Sequence, residues 1–360
     1  MRYILGIDTT FHTCGVGLVD EGGKVFANEK ISIDLTDENA ERFFGRHLKD
    51  TLSLVKPIMN KYSKDIFLIS VVNQKGPFHS MPVGAIVANT LSYFLDKGIV
   101  GVDHEVGHLY SNWLDRNQID FKFPIVSLSI SGAHTNIWLL KGHDDIVLAR
   151  RIFFQGDEAD FSGLGALFDW LCYYGLGIGI KKGEGGAYLE RLAHDGEPKY
   201  YHHFDFDIKS ENGNFKFTNV RNYLLGKIKE LGYYSLNSRE YGQFQKDFAR
   251  SLLEVLFDLL IKMIKEAISN FWPKEIHLAG GAGINKILAD KLNKFCQSEN
   301  LIFRAPLKAD FCGDNGAMTA IAGYYQWKSL SPKEREEKKF LPIKPSNWYY
   351  KYYADKFLKW

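Results

Sequence analysis

Residues 4–31 read ILGIDTTFHTCGVGLVDEGGKVFANEKI, and residues 128–152 read LSISGAHTNIWLLKGHDDIVLARRI. In the first stretch an apolar run at 3–8 ends in Asp8-Thr9-Thr10. A second run follows at 14–19 and, past the turn Glu21-Gly22-Gly23, a third at 24–33. Short apolar runs bounded by Gly and polar turn residues predict strands, here three in a meander. The second stretch restarts the pattern, with strands expected at 125–131, 134–140 and 146–154. A repeat of this size occurring twice predicts two related lobes rather than a solenoid.

Working outward, each meander is followed by alternating helix and strand signals. After the first, helical spacing of Phe43, Phe44, Leu48, Leu52, Leu54 and Val55 predicts a helix over 37–62. A buried strand at 66–72, a helix at 83–95, a strand at 98–103 and a helix from 104 to 114 follow. After the second, helices are expected at 157–174 and 185–194. A long helix over 241–271 carries Phe244, Phe248, Leu252, Val255, Leu256, Leu259 and Met263 on one face. A strand-turn-helix over 275–292, a strand at 301–304 and a last helix at 313–327 complete the pattern. This α/β organisation is that of the actin-like ATPase fold, two related lobes with a nucleotide cleft between them. The expected division is an N-terminal lobe over 1–115, a C-terminal lobe with a helical insertion over 116–312, a closing helix at 313–327 that returns to the N-terminal lobe, and an extension at 328–360.

Composition narrows the function classes. The chain has 360 residues, 45% hydrophobic and 24% charged, which excludes a disordered, collagenous or coiled-coil protein. Its formal charge is +2, so no overall field points to a polyanion or to an acidic membrane. The extension is the exception: residues 328–360 hold nine basic, four acidic and eight aromatic residues. Such a strip could contact RNA by phosphate pairing and base stacking, or simply pack a further helix onto the body. Cys14, Cys172, Cys296 and Cys312 are scattered, with no C-x-x-C pair, which fits a reduced compartment and a cytoplasmic protein. The opening MRYILGIDTT is too short an apolar run for a signal peptide or a membrane span, so no membrane association is expected.

The sharpest chemical signal is His104-Glu105-Val106-Gly107-His108. On a helix, residues four apart share a face, so the two imidazoles could hold one cation. Chance surface or capping histidines are the plain alternative. The string also fits H-E-x-x-H, in which a glutamate activates water on zinc, although no third downstream ligand is evident. Three glycine-rich turns could approach a phosphate: Ser131-Gly132-Ala133-His134-Thr135, Gly183-Glu184-Gly185-Gly186, and Gly280-Gly281-Ala282-Gly283-Ile284-Asn285. Any of them could equally be only a turn. Asp314, at the start of the last helix, reads either as an N-cap or as a carboxylate from the opposite lobe completing a two-His, one-Asp site.

In this order the motifs resemble the TsaD family of tRNA threonylcarbamoyladenosine transferases, also described as O-sialoglycoprotein endopeptidases. The resemblance runs from about Tyr3 to Gln326. LGIDTT is similar to LGIETS, KGPFHSMPVG to a GPG-x-x-x-x-LLVG stretch, and GVDHEVGHL to the metal-binding H-M-E-G-H stretch. SISGAHTNI is similar to VSGGHTQ, LGALFDWL to GEAFDK, and GEGGAYLERLAHDG to a PGGP-x-I-E-x-LA stretch. LAGGAGINKIL and FCGDNGAM match the late GGV-A-AN and C-TDN-A-AM turns.

The resemblance implies transfer of threonylcarbamoyl from threonylcarbamoyl-AMP to N6 of adenosine 37 in ANN-decoding tRNAs. It implies one divalent metal, iron or zinc, on His104, His108 and Asp314. It implies adenine nucleotide contacts at Ser131, Gly132, Ala133, Asp169, Gly186, Glu190 and Asn285. Its implied partners are tRNA and TsaB-like and TsaE-like subunits.

The chain also departs from the family pattern. Phe11-His12-Thr13-Cys14 stands in place of CDET, removing two acids. Phe215-Lys216-Phe217-Thr218-Asn219-Val220-Arg221-Asn222 stands in place of FSFSGLKT, keeping a cation but losing Ser-Gly, and Ala133 replaces the second glycine of VSGGHT. The alternatives are therefore a diverged TsaD-like carbamoyltransferase with another acceptor and a non-catalytic nucleotide-binding scaffold. An HExxH metalloprotease is a further one, and it would make Glu105 essential.

Overall fold

Both meanders form in the computed structural model, which describes residues 1–10, 13–32, 40–75, 80–154, 163–181, 183–233, 238–269, 271–337 and 340–343. The chain divides into two compact units. The first holds residues 1–121, 142–145 and those from 306 onward; the second holds 122–141 and 146–305. The units change over at Phe121 and Pro306, where the sequence reading drew limits at 115 and 312. The stretch up to Phe121 stays with the first unit, where Trp113 and Phe121 stack at 4.3 Å and 12°.

In the first unit β1 (Tyr3–Asp8), β2 (Thr13–Asp20) and β3 (Val25–Ser32) are antiparallel neighbours. α1 (Ala40–Tyr62) leads to β4 (Ile66–Gln74), and α2 (Met81–Leu95) leads to β5 (Gly98–Asp103). Both later strands run parallel in the sheet, giving the order β3-β2-β1-β4-β5. Parallel neighbours need covered faces, and the sequence supplies them: every residue of β1 is buried, and Val55, Ile58, Val87 and Ala88 from α1 and α2 join the core with Leu5, Ile7 and Val71. α3 (His104–Tyr110) begins directly at the end of β5 and is shorter than expected, because residues 111–113 tighten into a 3₁₀ turn.

The second unit repeats this topology. β6 (Ile125–Ile130), β7 (Thr135–Leu140) and β8 (Ile146–Phe153) form the meander. α4 (Leu164–Trp170) and α5 (Gly185–His194) follow. The expected first part of α4, residues 157–162, lies outside the described residues. A hairpin that sequence reading does not anticipate, β9 (Ile208–Glu211) and β10 (Asn214–Phe217), adds to the free edge of β8. α6 (Val220–Glu230) and α7 (Ser238–Ile268) lead to β11 (Glu275–Ala279), α8 (Lys286–Ser298) and β12 (Ile302–Arg304). The sheet order is β12-β11-β6-β7-β8-β10-β9, so strands β8-β7-β6-β11-β12 reproduce the order of the first sheet. Phe244, Phe248, Leu252 and Leu256 of α7 are buried in its core.

The chain ends its described course with α9 (Gly316–Ser329), α10 (Pro332–Glu337) and the segment 340–343. α9 lies directly on β1 and β2, and glycine makes this possible. A Cβ on Gly6 would stand 2.0 Å from the carbonyl oxygen of Gly316, and one on Gly17 would stand 2.2 Å from the Ala317 nitrogen. Asp314 therefore belongs to the same unit as His104 and His108, which corrects the reading that it comes from the opposite lobe. Among the described residues no helix is long and apolar enough to cross a membrane.

Candidate metal centre and nucleotide loops

Three chain segments of the first unit converge at the carboxyl ends of β1 and β5. Asp103 ends β5 and its carboxylate accepts the Glu105 N–H at 3.0 Å, capping α3 and fixing the start of the helix. This places His104 in the first position of α3 and His108 one turn on, with ring centroids 4.7 Å apart. Asp314 arrives from the turn before α9. The N-cap of α9 is Asn315, whose Oδ1 accepts the Met318 N–H at 2.9 Å. With the cap supplied by its neighbour, Asp314 is left to face the histidines. Its Oδ1 lies 3.3 Å from His108 Nε2 and 3.5 Å from His104 Nε2. One ligand atom from each of His104, His108 and Asp314 lies within 4.8 Å of the others.

A fourth residue, given no role by sequence reading, completes the group. Asp8 at the end of β1 is fully buried, and its Oδ1 accepts hydrogen bonds from the Thr10 N–H and hydroxyl. Its Oδ2 has no hydrogen-bond partner among the described residues and lies 3.5 Å from His104 Nδ1. The signal was present in the sequence as the acid that closes an apolar strand; its partner, about a hundred residues away, was not. Burial pushes the His104 pKa down, but Asp314 and then Asp8 outweigh it and raise the pKa to about 9. Thr9 binds the neighbouring helix: its hydroxyl donates to the Ser80 carbonyl and accepts the Gly84 N–H.

The donor set fits a divalent metal. Both ring nitrogens of His108 and Nδ1 of His104 are buried with no hydrogen-bond partner among the described residues. Buried polar atoms in that state are costly unless something satisfies them. Two imidazoles and one carboxylate on facing segments leave positions open, as iron or zinc sites do. Glu105 is buried and is not among the gathered groups. As the neighbour of His104 on a helix it points about a quarter-turn away, which gives no support to the protease reading.

The other expected site residues all lie in the second unit. Ser131, Gly132 and Ala133 form the β6–β7 turn, where the Ser131 Oγ accepts the His134 N–H at 3.0 Å. α4 packs closely on this turn, because Gly163 and Gly165 have no room for a Cβ against its backbone. Asp169 on α4 accepts the Gly183 and Gly185 N–H groups at 2.6 and 2.8 Å, which folds the glycine turn leading to Gly186 onto that helix. Asn285 caps α8 through the Leu288 N–H, and Glu190 of α5 accepts the Lys286 N–H at 2.6 Å. Burial raises the Glu190 pKa against this bond. The structure thus brings Glu190 and Asn285 to one helix N-terminus and joins Asp169 to the turn at 183–186. All four cysteines are free and buried, and burial pushes the Cys14 and Cys312 thiols up to about 11 and those of Cys172 and Cys296 to about 12. Thiolate nucleophiles are therefore not available at neutral pH.

The doubly repeated β-meander topology defines an actin-like α/β fold, and the imidazole–carboxylate cluster sits at the end of its first strand. The chain belongs to the TsaD family, described as tRNA N6-adenosine threonylcarbamoyltransferase, whose sequence model matches residues 39–321. It is 30% identical over 339 residues to the tRNA N6-adenosine threonylcarbamoyltransferase of Thermosipho melanesiensis, covering 89% of this chain and 94% of that one. It is 27% identical over 342 residues to that of Carboxydothermus hydrogenoformans, covering 91% and 93%. Among solved structures, HypF of T. kodakarensis superposes with a TM-score of 0.62 at 14% identity, over 93% of this chain and 49% of HypF. The chain thus spans about half of HypF, and at this identity the likeness is one of fold.

Proposed function

We propose that this protein is a tRNA N6-adenosine threonylcarbamoyltransferase. The observation that carries the reading is the convergence of His104, His108 and Asp314 in a chain of the TsaD family. A divalent cation bound there, iron or zinc, would polarise the carbamoyl carbonyl and stabilise the charge that develops on it. The chain's own residues do the rest. Asp8 orients the His104 ring, and the cap given by Asn315 holds Asp314 toward the two imidazoles. In the second unit the turn at 131–133 and Gly186, with Asp169, Glu190 and Asn285, take the adenylate, Asp169 holding the 183–186 turn in place through the Gly183 and Gly185 N–H groups. Adenosine N6 attacks the carbamoyl carbon and gives up one proton to solvent, the bond to the phosphate oxygen breaks, and AMP leaves with that oxygen. TsaB-like and TsaE-like proteins are the partners that the family resemblance suggests, and the reduced cytoplasm, where buried free thiols persist, is the compartment.

The loss of the CDET acids supports a second reading, transfer to a different acceptor. Thr13 and Cys14 of that stretch are buried in β2, while Phe11 and His12 lie outside the described residues. The test is transfer of labelled threonylcarbamoyl from its adenylate to ANN-decoding tRNA, with and without the candidate partners, comparing the native chain with His108→Ala. Modified tRNA from the native chain and none from the variant is the expected result. Release of AMP without labelled tRNA under every partner condition would favour another acceptor. Neither product from the native chain would leave a scaffold.

A further inference from the structure

The second unit carries a surface cluster that the proposed reaction does not use. α4 runs on into one π-helical turn, Leu171–Gly175. Such turns are rare and often mark functional sites, because the added residue redirects side chains. Here Leu171 and Cys172 point into the core, while the next two residues, Tyr173 and Tyr174, are 59% and 66% exposed. The two rings meet edge-on, with centroids at 4.8 Å and 76°, and Trp170 lies 6.2 Å from Tyr174. α6 brings Arg221 over Trp170, its guanidinium 5.2 Å from the ring centroid. The Nε of Arg221 is buried without a hydrogen-bond partner, and no carboxylate pairs with this arginine among the described residues.

α6 carries Arg221, Lys227 and Lys229, of which Lys227 pairs with Glu230 at 2.9 Å while Arg221 lies over Trp170. Trp170 stands where the family motif GEAFDK carries lysine, and Arg221 where SGLKT does, so a pair of lysines has become a ring with a cation stacked on it. An edge-to-face pair covers one face of one ring only, so these exposed rings still offer a face to stack on, and a planar cation on the adjoining Trp170 suits a ligand that is both flat and anionic. Unpaired nucleotides have both properties: bases stack on aromatic faces and arginine planes while phosphates pair with cations. A protein partner would be expected to meet these rings with apolar side chains, and would gain nothing from the unpaired cation.

We propose that Trp170, Tyr173, Tyr174 and Arg221 form a stacking platform for unpaired bases of the RNA acceptor. The proposal rests on the reading of this chain as a tRNA-modifying enzyme. Its test uses the full chain and two fluorescent RNA hairpins with the same stem, one closed by an anticodon-type loop and one by an abasic loop. The native chain should bind the first more tightly. In the combined variant Tyr173→Ala/Tyr174→Ala that preference should fall by about tenfold or more, with little change toward the abasic hairpin. Arg221→Lys, which keeps the charge and loses the plane, should weaken loop binding while preserving the salt dependence. Unchanged thermal unfolding of the variants separates this loss from misfolding.

Equal loss on both hairpins, or no loss, would overturn the platform. So would variants that alter self-association or capture of a protein partner and leave RNA binding intact. If the native chain transfers threonylcarbamoyl to tRNA and the variants do so equally well, the platform fails and the enzyme reading stands. If the native chain binds neither hairpin and modifies no tRNA, both fail.

Discussion

At the scale of single residues, the site depends on Asp8 as much as on the residues that would touch a metal. A carboxylate behind a ligating imidazole fixes the tautomer and the ring angle, and losing it commonly costs 10- to 100-fold in metal affinity. Asp8→Asn keeps the shape and an oxygen for the Thr10 bonds while removing the charge 3.5 Å from His104 Nδ1. The expected outcome is a fall in metal content per purified chain, with affinity by chelator competition weaker by about tenfold or more and unfolding little changed. Equal metal content in the two proteins would show that Asp8 does not orient the ring.

A second buried carboxylate serves stability. Glu275 has no exposed side-chain surface, lies 2.8 Å from His277 Nε2 and 2.7 Å from Arg304 Nε, and accepts the Lys122 N–H. Burial alone would raise its pKa, but the bonds from His277 and Arg304 outweigh that and hold it at about 2. A carboxylate with a depressed pKa contributes stability that is full above its unfolded value, near 4.5, and is lost as pH falls toward 2. Glu275→Gln should destabilise by about 3 kcal/mol at neutral pH, the scale for breaking one partner of a buried pair. Urea unfolding should show the gap between variant and native protein narrowing below pH 4.5. A gap that is constant with pH would mean that shape, not charge, is what the glutamine removes.

At the scale of elements, the contact of α9 with the first sheet determines where Asp314 sits. Gly17→Ala would put a methyl group 2.2 Å from the Ala317 nitrogen, and both sides of that contact are backbone. The helix must move, at a cost of about 1–3 kcal/mol or more, and Asp314 moves with its N-terminal turn. The expected result is a lower melting temperature together with weaker metal retention. Lower stability with metal affinity intact would separate the helix position from the site.

The same contact shows what a sequence can disclose. The two meanders were legible because alternation and turn residues are local, and the last helix was legible because its apolar pattern is local. Its seat on β1 was not, since nothing in Gly6 or Gly17 names the helix some 300 residues away that requires them. The histidine pair was readable from its i,i+4 spacing. Asp314 stayed ambiguous between cap and ligand until Asn315 took the cap. The β9–β10 hairpin escaped because its strands are four residues each and largely polar.

At the scale of the whole molecule, the first unit is closed by residues from the far end of the chain. After α10, Leu341 is 6% exposed and sits in the core with Val55, Ile58, Val87 and Ala88. Its backbone is held on both sides by one side chain: Asn89 Oδ1 accepts the Leu341 N–H at 2.8 Å, and Asn89 Nδ2 donates to the Leu341 carbonyl at 3.2 Å. Asn73 Nδ2 donates to the Pro342 carbonyl at 2.8 Å. A chain ending at Glu337 would expose this part of the core and leave the amides of Asn73 and Asn89 without these partners.

Loss of a buried leucine costs about 2–5 kcal/mol. In a folded unit of this size each kcal/mol lowers the melting temperature by roughly 2–4 °C. The truncated protein should therefore unfold at least several degrees earlier by calorimetry, and Leu341→Ala in the full chain should account for most of the drop. If the truncation destabilises and Leu341→Ala does not, the backbone bonds of Leu341 and Pro342 to Asn89 and Asn73, which the substitution keeps, carry the stabilisation. If neither does, the segment rests on the first unit without supporting it, and the strip is free to be assayed as an RNA-binding element.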